Sequence, residues 1–230
     1  MKELKRPYFS RGELALWLGS LGLILFSFLV FDRSSYLSLA ASLIGATSLI
    51  FCAKGNPFGQ MLMIIFSLLY AIISFSFCYY GEVITYLGMT TPMAVFSLVS
   101  WLRHPYGKDK TQVKVGRVSA KETVFMLILT AVVSVAFYFI LNAFGTSNLV
   151  PSVISVTTSF MAAYLTFRRS PYFALAYAAN DVILIVLWVL ASMSDISYIS
   201  VVICFATFLV NDLYGFINWK RMQRLQACNI

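Results

Sequence analysis

The chain has 230 residues, of which 60% are hydrophobic and 11% charged, and it carries a formal net charge of +8. That composition excludes a soluble globular domain and places the chain among integral membrane proteins. The positive surplus is the signature of basic loops lying against anionic lipid, so it implies no nucleic-acid partner.

Eight apolar segments of about 17 to 23 residues follow one another, each long enough to cross a hydrocarbon core of about 30 Å as a helix. The first, Leu14 to Val30, is followed by no small-residue cleavage site and reads as a span, not as a cleaved signal peptide. Tyr36 to Ala53 and Phe58 to Tyr79 come next, then Val83 to Leu102. Ser, Thr, Gly or Pro interrupt the second and fourth spans, which leaves their ends loosely specified. A basic loop from Arg103 to Lys121 is too short for a domain and reads as a connector. The last four spans are Thr123 to Asn142, Leu149 to Phe167, Tyr172 to Ala191 and Tyr198 to Asn218.

Charge fixes the expected orientation. With the N-terminus inside, sixteen of the 17 Lys and Arg residues face the cytoplasm and only Arg33 lies outside. Such a split requires an even number of spans with both termini cytoplasmic. The expected architecture is therefore an all-α protein of eight transmembrane helices in the cell membrane.

Chemistry is sparse. Cys52, Cys78, Cys204 and Cys228 show no CxxC spacing, and His104 is the only histidine, so no metal site is expected. Walker A, GxSxG and HExxH sequences are absent, so neither an enzyme nor an ATP-driven pump is expected, and no cofactor is implied.

Two loops read as copies. Phe51-Cys-Ala-Lys-Gly-Asn-Pro57-Phe58 matches Leu165-Thr-Phe-Arg-Arg-Ser-Pro171-Tyr172 at an offset of 114, with a helix end, a basic residue, Pro and an aromatic in order. The stretch from Val95 to Trp101 matches Leu213 to Trp219 at an offset of 118, each followed by basic residues. This divides the chain into residues 1–35, an N-terminus with an extra helix; 36–104, a first three-helix repeat; 105–148, a basic loop and linking helix; and 149–230, a second three-helix repeat with a basic C-terminus. A 3+1+3 core of parallel repeats places a transport site at the repeat interface near the midplane.

The polar residues of the last two spans are the candidates for that site. Asn180 and Asp181 lie near the centre of the seventh span, where an ionisable residue costs roughly 2.5 to 3.5 kcal/mol on insertion scales. Tyr177, Asp181 and Trp188 fall within about 40° of one another on a helix of 3.6 residues per turn, with Asn180 alongside. On the eighth span Thr207, Asn211, Tyr214 and Asn218 repeat the spacing, although Thr207 and Asn218 equally suit hydrogen-bonded helix glue. Asp212 lies off that stripe, and snorkelling or pairing with Lys220 or Arg221 competes with a site role. Trp101 and Trp219 occupy the position of interfacial aromatic anchors. Glu82, in Tyr80-Gly81-Glu82, reads as a solvated outer-loop residue.

The stretch Asn211-Asp-Leu-Tyr214-Gly215-Phe-Ile-Asn-Trp219-Lys220, the segment from Pro92-Met93 to Trp101-Leu-Arg-His-Pro105, the Tyr80-Gly81-Glu82 turn and the loop Gly55-Asn56-Pro57-Phe58-Gly59 together resemble the PnuC vitamin transporters. The resemblance covers about residues 36 to 224. It implies a SWEET-like fold, a homotrimer, and facilitated uptake of nicotinamide riboside by a uniporter, with phosphorylation by a cytoplasmic kinase trapping the substrate for NAD biosynthesis. It also implies an aromatic pair ahead of an Asn on the penultimate helix; aligned on Asn180, that pair falls on Phe173 and Ala176, and the position after the Asn, often apolar in the family, is Asp181. The candidate binding set is Phe173, Tyr177, Asn180, Asp181, Trp188, Asn211 and Tyr214. A carboxylate beside aromatic rings suits a planar cation or a ribose diol. Open alternatives are a same-fold carrier for another nucleoside, thiamine or riboflavin, a proton-coupled carrier using Asp181, and a non-transporting membrane scaffold.

Overall fold

The computed structural model describes residues 8–76, 80–107, 111–146 and 148–228, so Cys78 lies outside the described residues. Among these, eight helical stretches are long and apolar enough to cross a membrane. In chain order the helices are α1 (Arg11–Phe31), α2 (Tyr36–Ala53), α3 (Pro57–Ser76), α4 (Tyr80–Thr85), α5 (Thr91–Arg103), α6 (Ala120–Ala143), α7 (Leu149–Phe167), α8 (Tyr172–Ser192) and α9 (Ile199–Cys228). A short hairpin pairs β1 (Pro105–Tyr106) with β2 (Gln112–Val113). On α6, Phe125, Ile128, Val132, Val135 and Phe139 form an exposed apolar face, as a helix against lipid requires.

Local sequence explains how the elements begin and break. Ser10 and Glu13 form a capping box at the start of α1: the Glu13 amide donates to Ser10 Oγ (3.2 Å) and the Ser10 amide to Glu13 Oε2 (2.7 Å). Glu13 also accepts from Lys54 Nζ (2.9 Å) at the end of α2 and from Tyr214 Oη (2.7 Å) on α9, so one buried carboxylate joins three helices. The fourth span is a single rod in two pieces, α4 and α5, joined by a π-turn over Tyr86–Thr90. Pro92 has no N–H to give the preceding turn, and the Thr91 amide bonds instead to the Tyr86 carbonyl, five residues back. Tyr80-Gly81-Glu82, expected as a turn, is the first turn of α4.

The segments α2 to α5 and α7 to α9 contact each other reciprocally. Trp101 Nε1 donates to the Thr166 carbonyl (2.8 Å) and Ser100 Oγ to the Phe167 carbonyl (2.8 Å). In mirror fashion, Trp219 Nε1 donates to the Cys52 carbonyl (2.8 Å) and Asn218 Nδ2 to the Ala53 carbonyl (2.9 Å). Each third helix thus caps the last carbonyls of the other segment's first helix, groups that the helix itself leaves short of partners. Both tryptophans are fully buried, with ring centroids 5.3 Å apart. They are the fastening between the two segments, not the interfacial anchors their basic neighbours suggested. Asn218 is helix glue of this same kind.

The two capped helix ends also share a backbone turn. Gly55 (φ +67°) and Arg169 (φ +56°) both take the left-handed conformation that closes a helix C-terminus. Arg169 holds it without being glycine because its guanidinium is tied to α5: Nη1 donates to Ser100 Oγ at 2.8 Å and reaches His104 Nδ1 at 2.6 Å.

The basic loop is more than a connector. The Val113 amide donates to the Gly55 carbonyl (2.9 Å) and the Gly116 amide to the Arg169 carbonyl (3.0 Å), so the stretch from Val113 to Gly116 straps both turns together. Gln226, on the part of α9 beyond the expected end of the span, accepts from the Val115 amide (2.8 Å) and donates to the Val113 carbonyl (3.1 Å). A Cβ on Gly116 would stand 2.1 Å from the Arg168 carbonyl oxygen. Gly116→Ala is therefore expected to lift the strap off α7. Limited proteolysis in the 105–118 loop should become faster, and an unchanged cleavage rate would show that the strap is not held there.

Candidate functional site

Between the two segments lies a cavity of roughly 160 Å³. Its polar wall is built by α8 and α9. Tyr177, Asn180, Asp181, Leu184 and Leu187 face it from α8 at helical spacing, and Phe205, Phe208 and Asp212 face it from α9. Ser152, Ser155 and Ser159 contribute from α7, and Phe66 from α3. Glu82, Thr85, Tyr86, Met89 and Thr90 come from α4 and the π-turn, so the slipped ladder turns Tyr86 toward the site. Tyr177 joins this wall to an aromatic cluster outside the cavity, in which the Phe173 ring centroid lies 6.3 Å from Trp101, 5.0 Å from Trp219 and 6.3 Å from Tyr177.

Asn180 Oδ1 accepts from Ser155 Oγ and Thr158 Oγ1, both at 2.9 Å, which fastens it to α7 and leaves its Nδ2 to donate toward a ligand. Asp181 is 4% exposed and Asp212 5%, and both line the cavity. Asp181 Oδ2 has no partner at all. No Lys, Arg or His lines the cavity among the described residues. Lys54 and Lys220 are engaged elsewhere, Lys54 with Glu13 and Lys220 with the Tyr172 hydroxyl (3.1 Å). No cluster of His, Cys, Asp and Glu able to hold a metal ion occurs among the described residues.

Of the residues singled out from sequence, the cavity gathers Tyr177, Asn180 and Asp181; Phe173 is not among its lining residues and packs instead against Tyr177 and the two tryptophans. Trp188 lies two turns beyond Asp181 and packs against Tyr198 at 5.3 Å. Asn211 Nδ2 donates to Ser20 Oγ on α1 (2.8 Å) and to the Thr207 carbonyl (2.8 Å), and Tyr214 turns to Glu13. Both point away from the cavity. Asp212 neither snorkels nor pairs with Lys220 or Arg221; it lies inside beside Asp181. Glu82, expected in solvent, lines the opposite wall and accepts from Ser74 Oγ (3.2 Å). The aromatic wall of Phe66, Tyr86 and Phe208 carries no polar signal, and only the i, i+3, i+7 spacing of Phe205, Phe208 and Asp212 marked it in sequence.

Gly45 on α2 lets that wall close. A Cβ there would meet Phe208 Cζ at 2.7 Å and the Phe66 ring at 3.1 Å, both movable side-chain atoms. Gly45→Leu is expected to push both rings into the cavity and to lower ligand affinity at least tenfold in folded protein. Equal affinity in the variant, measured by calorimetry, would place the ligand elsewhere.

Comparison with known proteins adds three findings. A family model described as nicotinamide mononucleotide transporter matches residues 35–221. A nicotinamide riboside transporter PnuC of Neisseria mucosa is 23% identical over 197 residues, covering 84% of this chain and 75% of that protein. A crystal structure of the vitamin B3 transporter PnuC has the same fold, with a TM-score of 0.80 and 22% identity over 95% of this chain and 94% of the other.

Proposed function

Because the chain belongs to the nicotinamide mononucleotide transporter family, a family of multi-pass membrane transporters and not of enzymes, we propose that it carries a phosphate-free, cationic vitamin nucleoside, nicotinamide riboside first among candidates. The observation that carries this reading is the cavity's make-up. Aromatic rings and two adjacent carboxyls match a planar pyridinium, through ring faces and charge, and Asn180 and Ser155 match ribose hydroxyls. Among the described residues a phosphate has no cation to meet in that cavity, which favours the nucleoside over the nucleotide. Thiamine is the second reading, favoured by the same carboxyl pair because its thiazolium is also a planar cation.

Tyr177, Asn180, Asp181 and Asp212 are the proposed ligand contacts, with Phe173 packed against Tyr177 outside the cavity. Trp188, Asn211 and Tyr214 are proposed to set helix packing. The cavity is smaller than the ~300 to 1,000 Å³ of typical ligand sites. A nucleoside therefore needs the walls to part, and rocking of the α2–α5 segment against α7–α9 about the turns at Gly55 and Arg169 supplies that opening. Transport is proposed to be facilitated, without ATP hydrolysis, across the cell membrane, with both termini cytoplasmic as the basic loops require. Trapping by a cytoplasmic kinase and assembly as a trimer belong to the same reading through the family resemblance.

The test is a titration panel on purified protein: nicotinamide riboside, its 5′-monophosphate, thiamine, riboflavin and ordinary nucleosides. Saturable binding of nicotinamide riboside with at least tenfold weaker binding of the monophosphate is expected. Preference for the monophosphate would overturn the reading, and preference for thiamine would move it to the second.

A further inference from the structure

Opposite Asp181 and Asp212 stands a carboxyl that the proposed ligand contacts leave unused. Glu82, in the first turn of α4, lines the cavity, is half-buried and accepts from Ser74 Oγ at 3.2 Å. A carboxylate offers about four acceptor positions, so this hydroxyl leaves room for further donors. The neighbouring glycine fixes its place: a Cβ on Gly81 would stand 2.8 Å from Leu141 Cδ2 and 3.0 Å from Thr146 Oγ1, so α4 begins close against the end of α6. Tyr86 lines the same cavity four residues on, about 6 Å further along the helix axis, which sets a ring and a carboxyl one above the other on a single face.

Neighbouring rings fix the tyrosine. It meets Phe66 edge-on, with centroids 6.4 Å apart at 77°, and Tyr70 at 4.9 Å and 37°. Phe208 continues the wall 6.2 Å from Phe66. Across the cavity Asp181, 4% exposed, has an oxygen without a partner, and among the described residues no Lys, Arg or His lines the space between. That space suits a flat ligand with a positive charge on one side and hydrogen-bond donors on the other. Resting on the reading of the ligand as nicotinamide riboside, we propose that Glu82 is its specificity-determining residue: the pyridinium lies against Tyr86, Phe66 and Phe208 with its charge toward Asp181, and its carboxamide donates to Glu82.

The consequence is a choice between two ribosides that differ in one group. The carboxamide has two N–H donors to offer Glu82. The carboxylate of nicotinic acid riboside has none, and it meets Glu82 as a second negative charge with no cation between them. A site built to receive a donor rejects the analogue that lacks it, because its own acceptor is left unpaired. Thr146 beside Gly81 and Ser152 in the first turn of α7 also line the cavity, and their hydroxyls can donate to a carboxylate. They hold the expected preference for the amide to roughly ten- to a hundredfold. Glu82 lies before α5 and Asp181 on α8, so the ligand is gripped by both segments once they close on it.

Calorimetric titration of the purified protein with nicotinamide riboside and with nicotinic acid riboside, at about pH 7.5 where the acid is a carboxylate, reads the ratio of their dissociation constants. The wild type is expected to bind the amide roughly ten- to a hundredfold more tightly. Glutamine can donate to a carboxylate as well as accept from an amide, so Glu82→Gln should weaken nicotinamide riboside, tighten nicotinic acid riboside and bring the two within about threefold. Asp181→Asn should weaken both and keep the ratio within about threefold of wild type, because Asp181 faces the ring charge they share. Glu82→Ala replaces the glutamine variant if that one does not fold, with the same collapse of the ratio expected. Equal binding of the two ribosides by the wild type overturns this inference and leaves the proposed function standing. So does a wild-type ratio in the folded Glu82 variant, or a ratio lost in Asp181→Asn instead. Absence of nicotinamide riboside binding by the wild type removes the functional reading and this inference with it.

Discussion

Asp181→Asn should weaken binding of nicotinamide riboside by roughly ten- to a hundredfold while leaving the protein folded. The side chain keeps its shape, so the loss is that of one charge-assisted contact, worth about 1.5 to 3 kcal/mol, with Asp212 left as the remaining carboxyl on that wall. Stability should move the other way. A buried carboxyl with an unpartnered oxygen is costly to hold, and the amide is neutral where the carboxylate is charged. The expected signature is weaker binding together with a thermal midpoint equal to or above wild type, the exchange of stability for function that binding sites show. Unchanged affinity in a variant of wild-type stability would remove Asp181 from the site.

Trp219→Ala should destabilise the protein by about 3 to 5 kcal/mol, the range for emptying a large buried aromatic position. Trp219→Phe should cost less, about 1 kcal/mol, because the ring stays and one hydrogen bond is lost; the Cys52 carbonyl keeps the Gly55 amide at 2.9 Å. Trp101→Ala and Trp101→Phe should repeat both values, since Thr166 keeps the Arg169 amide in the same way. Thermal unfolding in detergent checks the series. A tryptophan anchored in the lipid interface would tolerate Phe without loss and Ala at small cost, so a flat series would return both residues to the anchor role.

The spans and their breaks were legible because the signals are local. Apolar length, the basic loops and the pairs Pro57 and Pro171 each act within a few residues. Which face of α9 lines the cavity was not legible. The stripe of Thr207, Asn211, Tyr214 and Asn218 is polar, yet it faces α1 and α2, where Ser20, Glu13 and the Ala53 carbonyl receive it. A helix packed on two sides inside a membrane needs hydrogen-bonding groups on both, and residue types do not distinguish a neighbour from a ligand. Asp212 was obscured by Lys220 and Arg221, about two turns further on, which sequence offers as partners and the fold leaves outside. On α8 the reading was closer because Tyr177, Asn180 and Asp181 sit within little more than one turn, so a single face holds them all.

The crosswise capping at the basic end bears on ancestry. Ser100-Trp101 and Asn218-Trp219 serve each other's segments, so neither segment can complete its own first helix. A free-standing copy of residues 36–103 would leave its tryptophan with no carbonyl to hold, unless a second copy met it about a twofold axis along the membrane normal. There the same contact, repeated twice, would satisfy both. The two segments of the present chain are thus joined as the halves of such a dimer would be, with α6 between them in the sequence.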